Sequence, residues 1–216
     1  MDLICKRGLF LGFLLMLASA CNQDQTSYIV ELCDVKERGD ESLYLLSDGG
    51  KTLYTSSSSD LADYKAGQRF RVTYIKLEGK NASKDEVMIE VKYMLPVLIK
   101  EAISPESLKG AINDPVWLIN QPWYGGGYLN FEFSYDNNGS SEIKHEIQLV
   151  RDSIAQNKVY MTFGHNANGD VSQKNVTALA SFPLTSISGF QSADSLIVKV
   201  LEGSKYTIYR LPVIRN

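Results

Sequence analysis

Three cysteines in 216 residues are too few for a disulfide-stapled scaffold. Positive charge is not in excess either. With 22 Lys and Arg against 25 Asp and Glu, the net charge is −3, so the chain lacks the electrostatic footprint of a nucleic-acid binder. No Cys-x-x-Cys or His-Glu-x-x-His spacing is present for zinc, and no Gly-x-Ser-x-Gly elbow for a serine nucleophile. The Asp48-Gly49-Gly50 turn runs into a strand-like segment rather than the helix that a phosphate-cradling loop requires. No cofactor, no metal and no catalytic residue is expected from these motifs.

Long hydrophobic runs are also scarce. The clearest lies near the N-terminus, from Leu9 to Leu17, and is shorter than the roughly 20 apolar residues needed to cross a bilayer. Lys6 and Arg7 precede it, and Ala18, Ser19 and Ala20 follow, which is the order of a signal peptide over residues 1–20. Leu17-Ala18-Ser19-Ala20-Cys21 resembles the lipobox of bacterial lipoproteins, implying cleavage before Cys21 and a diacylglycerol thioether on its sulfur. Processing would discard Cys5 and leave 196 residues, and loss of Lys6, Arg7 and Asp2 would move the net charge from −3 to −4. Cys33 would then be the one free thiol. It alternates in step with Ile29 and Val35, the pattern of a buried and inert side chain.

What the mature chain has in quantity is strand signal. Residues 21–27 read as a polar tether. Over 28–100, five β segments separated by Gly39-Asp40, Asp48-Gly49-Gly50, Ala66-Gly67 and Glu78-Gly79 turns predict a small OB-like barrel. Within it, Phe70, Val72 and Tyr74 form one side of a strand, and Arg69, Arg71 and Thr73 a side expected to be solvated. Residues 101–115, with Ser104-Pro105 and Asp114-Pro115, read as a linker. Seven further segments over 116–216 predict an antiparallel β-sandwich, so the fold class is all-β.

Tyr28 to Val35 (YIVELCDV), Gly127-Tyr128-Leu129-Asn130-Phe131, Lys144 to Val150 (KHEIQLV) and Gly164 to Asp170 (GHNANGD) together resemble the NigD-like lipoproteins of Bacteroidetes. The resemblance implies an N-terminal OB-type domain, a C-terminal β-sandwich and an envelope location. It brings no catalytic residues. Asp24 is the one acidic residue between Cys21 and Tyr28, which favours the periplasmic face of the outer membrane over the cell surface.

Five side chains are candidates for ligand contact. Trp123, Tyr124 and Tyr128 surround Gly125-Gly126-Gly127, a platform able to stack on sugar or peptide. His145 and His165 alternate in step with core residues near Asp152 and Asp170, and are expected to be hydrogen-bonded structural imidazoles. Asn166 to Asp170 offers oxygen ligands but reads as a polar turn rather than a calcium loop. The sequence thus points to a non-enzymatic envelope module with a membrane anchor and a protein or glycan partner. The alternatives are a bacteriocin immunity or accessory protein and a hydrolase with an unrecognised site.

Overall fold

The structure is a computed structural model that describes residues 27–77, 79, 85–139, 143–170 and 174–214. The expected signal peptide, Cys21 and residues 22–26 of the expected tether lie outside the described residues. The N-terminal strands are β1 (Ile29–Glu37), β2 (Leu43–Ser47), β3 (Thr52–Thr55), β4 (Arg69–Lys76) and β5 (Glu86–Pro96). They close in the order β1-β2-β3-β5-β4, with β4 returning to β1 and a parallel pairing only between β3 and β5. This is the five-stranded connectivity of an OB-type barrel. Period-two alternation fills it: Cys33, Val35, Leu45, Leu53, Val72, Tyr74 and Ile89 are all fully buried on the inner face. Cys33 is buried, as its pattern suggests, and burial and the nearby Glu31 carboxylate push its thiol pKa upward.

The second domain contains β6 (Leu98–Ile99), β7 (Trp117–Leu118), β8 (Trp123–Gly125), β9 (Tyr128–Asn137), β10 (Glu146–Ala155), β11 (Lys158–Asn166), β12 (Lys174–Pro183), β13 (Ser195–Glu202) and β14 (Lys205–Pro212). One sheet runs β6-β12-β9-β7, with β8 also paired to β9; the other runs β10-β11-β13-β14. The sandwich is mixed rather than purely antiparallel. β12 crosses to the opposite sheet between β11 and β13, so β13 returns alongside β11 in the same direction, and β6 also runs parallel to β12. Between the sheets, Phe131 stacks on Phe163 at 4.1 Å and meets Phe182 edge-on at 5.8 Å.

The stretch expected to be a linker is built into this sandwich. Ile103 N–H donates to Leu149 O, and Arg151 N–H donates back to Ile103 O, fastening the chain to the edge of β10. Asp114 N–H donates to His165 O, and Ile112 packs on Gly164, where a Cβ would sit 2.7 Å from the isoleucine Cβ. Isolated apolar residues between turns gave no periodicity from which to infer these contacts.

The expectation of a solvated arginine face fails at Arg69, which is 2% exposed. The sandwich covers it. Nη1 donates to Asp34 Oδ1 at 2.8 Å, Nη2 to both Asp48 oxygens at 2.7 Å, and Nε to Ser181 Oγ at 3.0 Å. Asn130 Oδ1 accepts from Nη2 at 3.3 Å and from Ser181 Oγ at 2.6 Å, and the Tyr128 ring lies 4.3 Å from the guanidinium carbon. The carboxylates come from the barrel and the remaining partners from the sandwich. The β8–β9 turn must approach this ion closely: Gly126 has φ +60°, and a Cβ there would collide with the Asp48 carboxylate and lie 3.1 Å from Arg69 Nη1. Removing one partner of a buried charge cluster costs about 3–5 kcal/mol, whereas a half-exposed bridge costs about 1 or less. Arg69→Ala is therefore expected to lower the melting temperature sharply and separate barrel and sandwich unfolding in calorimetry. Arg71→Ala is expected to leave a single transition near that of the wild type.

Candidate functional site

The barrel and sandwich meet along a groove. Val97 and Leu179 form an apolar floor with Leu32, and Trp123 packs against it. Arg71 crosses the groove to Glu132 at 2.7 Å, and Glu132 in turn accepts from Asn120 Nδ2 at 2.7 Å. A cavity of about 580 Å³ lies to one side of this bridge, lined by Leu95, Leu98, Phe133, Tyr135 and Ile147 with His145 in its wall. On the other side, Trp123, Val30 and Leu32 line a cavity of about 330 Å³. Arg71 and Leu179 touch both. Apolar walls with a few fixed polar groups are the usual make-up of a ligand site.

The three aromatics do not form one platform. Tight turning at Gly126-Gly127 makes β8 and β9 a hairpin, and alternation then sends neighbouring rings to different places. Trp123 is half-buried at the groove floor. Tyr124 packs on the sandwich core and donates from Oη to Leu211 O at 3.3 Å, and Tyr128 lies under Arg69. Of the three, Trp123 borders the smaller groove cavity.

The two histidines do come together. His145 Nδ1 and His165 Nε2 are 2.8 Å apart, His145 Nε2 is 2.8 Å from Asp170 Oδ2, and His165 Nδ1 is 3.3 Å from Pro115 O. The rings lie 5.0 Å apart, with Tyr135 at 4.8 and 5.1 Å from them. Of the two nearby acids, Asp170 is the partner; Asp152 Oδ2 accepts instead from the Thr162 hydroxyl. Three contacts in a row need three protons, and two neutral imidazoles bring two. The arrangement that satisfies every contact has His165 donating from Nδ1 to Pro115 O and accepting at Nε2, with the third proton shared between His145 and Asp170. Every ring nitrogen is engaged in a hydrogen bond, and of the two rings it is His145 that lines the larger groove cavity. The Asn166–Asp170 segment is not a hairpin loop, since β11 and β12 lie in different sheets; it holds a β-turn closed by Asp170 N–H to Ala167 O, with Asn168 and Gly169 at positive φ, and its Asp170 carboxylate also accepts from Asn138 N–H.

Sequence reasoning missed the Arg69 cluster and the Arg71–Glu132 bridge because their partners lie far apart in the chain. The carboxylates of Asp34 and Asp48, each on an outward position or turn of a barrel strand, were the one available signal.

The fold and groove define a two-domain, all-β protein with an OB-type barrel joined to a β-sandwich. The model of the NigD-like C-terminal β-sandwich domain matches residues 99–210, and the chain belongs to that family. No curated protein matches the sequence. Among solved structures, a protein of unknown function from Bacteroides vulgatus aligns with TM-score 0.72 at 19% identity, over 88% of this chain and 92% of that one. A NigD-like immunity protein from Bacteroides caccae aligns with TM-score 0.65 at 23% identity, over 86% and 93%. A candidate lipoprotein from Bacteroides fragilis aligns with TM-score 0.67 at 9% identity, over 86% and 98%. These likenesses establish a shared two-domain fold.

The pKa of His165 is pushed down from the ordinary imidazole value of 6.5 by burial, with the Pro115 hydrogen bond opposing. Below about pH 6.5 the unfolded chain therefore takes up a proton before the folded chain does, so this group's stabilisation is complete above that pH and lost as pH falls. Lowering the pH from about 7.5 to 5.5 is expected to depress the wild-type melting temperature more than that of His165→Gln, as read by parallel thermal melts.

Proposed function

We propose that this protein is a lipid-anchored, non-enzymatic interaction module of the cell envelope that binds a partner in the groove between barrel and sandwich. The observation that carries the reading is the pair of apolar cavities flanking Arg71 along an interface fixed by the buried Arg69 cluster. A rigid concave surface loses little conformational freedom on binding. The non-enzymatic reading is supported by the occupied ring nitrogens of His145 and His165. The membrane anchor rests on the lipobox-like Cys21, and the outer-membrane, periplasmic location on the residues that follow it.

A second reading, immunity against a secreted bacteriocin, is favoured by the naming of the Bacteroides caccae neighbour as an immunity protein. Deletion of the gene is expected to leave bacteriocin sensitivity unchanged under the first reading and to raise it under the second.

Two measurements test the leading proposal. Metabolic labelling with an alkyne fatty acid is expected to mark the wild-type protein and not Cys21→Ser, which should move to the soluble fraction. A photo-crosslinking residue at Leu95, beside the groove and 48% exposed, is expected to give a discrete adduct in intact cells. The same residue at Ile154, 47% exposed on β10, is expected to give none. Equal crosslinking at both positions would refute the groove as the contact surface.

A further inference from the structure

β12 is paired along all ten residues by β9, but on its other side β6 covers only Ala180 and Ser181. Among the described residues, no strand pairs with 174–179 on that side. One bond fixes which groups face the opening. Ser181 O accepts from Lys100 N–H at 3.2 Å, and main-chain direction alternates along a strand. Thr177 and Asn175 therefore direct N–H and C=O to the same open side, and Leu179 directs its N–H there, its C=O being taken up in the pairing of Ala180 with Leu98.

The larger cavity lies on this edge. Thr177, Ala178 and Leu179 all line it, and because successive side chains point to opposite faces, three neighbours in a row can border one cavity only along the strand's edge. Its far wall is the stretch 95–98, where the chain leaving β5 diverges from β12 before Leu98 joins it. The cavity thus occupies the place that a longer β6 would fill. The edge is lightly guarded: Lys174 stands at its start, and residues 175–181 contain no charge and no proline, whereas β14, at the border of the other sheet, carries Lys205, Arg210 and Pro212.

We infer that an extended polypeptide segment of a partner adds to β12 beside Lys174–Leu179, continuing β6 and setting an apolar side chain among Leu95, Phe133 and Ile147. The inference deepens the groove reading and rests on it. A polypeptide answers both features of the site at once: its main chain pairs with the open N–H and C=O groups, and its alternate side chains fill the apolar space. A lipid chain would fill the space and leave the edge unpaired. The added strand also extends the contact already made between barrel and sandwich at 95–98.

The test uses the full chain in detergent micelles and the capped probe peptide Lys-Thr-Val-Thr-Val-Thr-Lys, with a second peptide N-methylated at its threonines. The Thr177 and Leu179 amides are expected to exchange freely in the protein alone and about tenfold or more slowly with the first peptide, but not with the second. Thr177→Pro, which removes a donor only on the open side, is expected to keep the wild-type melting temperature and lose the slowing at Leu179. Amides already protected in the free protein, or equal effects of both peptides, would overturn strand addition. Absent slowing together with a persistent Leu95 adduct in cells would overturn it while leaving the groove reading intact.

Discussion

A guanidinium removed from water is the constraint around which this molecule is arranged. Arg69 is held with almost no solvent contact, and an unpaired charge there would be far more costly than the few kcal/mol that keep a domain folded. It must therefore be met on every side. Asp34 and Asp48 supply negative charge from the barrel, Ser181 and Asn130 supply acceptors from the sandwich, and Tyr128 closes the face of the ion. Since neither domain alone provides the whole set, the ion is satisfied only when the two are docked. Burial pushes the Asp48 carboxyl pKa up while Arg69 pulls it back, so the two partners depend on each other.

The groove inherits its geometry from that docking. Its walls come from both domains, with Leu95 and Arg71 from the barrel and Phe133, Ile147 and Leu179 from the sandwich. The histidine chain ties down the wall that holds His145 in a comparable way. His145 reaches Asp170 on one side and His165 on the other, and His165 ties back to the 113–115 stretch that runs along β11. Polar atoms thus set the positions from which apolar side chains face the cavity.

Local patterning carried most of the architecture into the sequence. Alternation at Cys33 and Val35 and at Phe70, Val72 and Tyr74 marked the barrel strands, and glycine-bearing turns such as Asp48-Gly49-Gly50 marked their ends. The same logic yielded an OB-like barrel followed by a sandwich, and set both histidines in step with core residues. It failed where a residue's environment is set by a distant segment. Arg69 and Arg71 share an outward face on β4, and one is enclosed while the other is a third exposed, a difference decided by β9 and β12 more than 50 residues away. β6 and β8 are too short to show a period. Trp123, Tyr124 and Tyr128 looked like a cluster because they are close in sequence, but a hairpin turn between them separates their rings.

The contrast between the two arginines also bears on how the groove admits a ligand. The Arg69 cluster is buried, and opening it would strand a charge, so the relative position of barrel and sandwich is the costly feature. The Arg71–Glu132 bridge has side-chain exposures of 32% and 17%, and ion pairs open to water are worth about 1 kcal/mol or less. Arg71 also borders both cavities, as does Leu179. Of the two ion clusters, the Arg71–Glu132 pair is therefore the one that yields more cheaply. The strand proposed to add along β12 would meet an apolar space bordered by Arg71, and displacing the Arg71–Glu132 pair would leave undisturbed the Arg69 ion that holds the domains together.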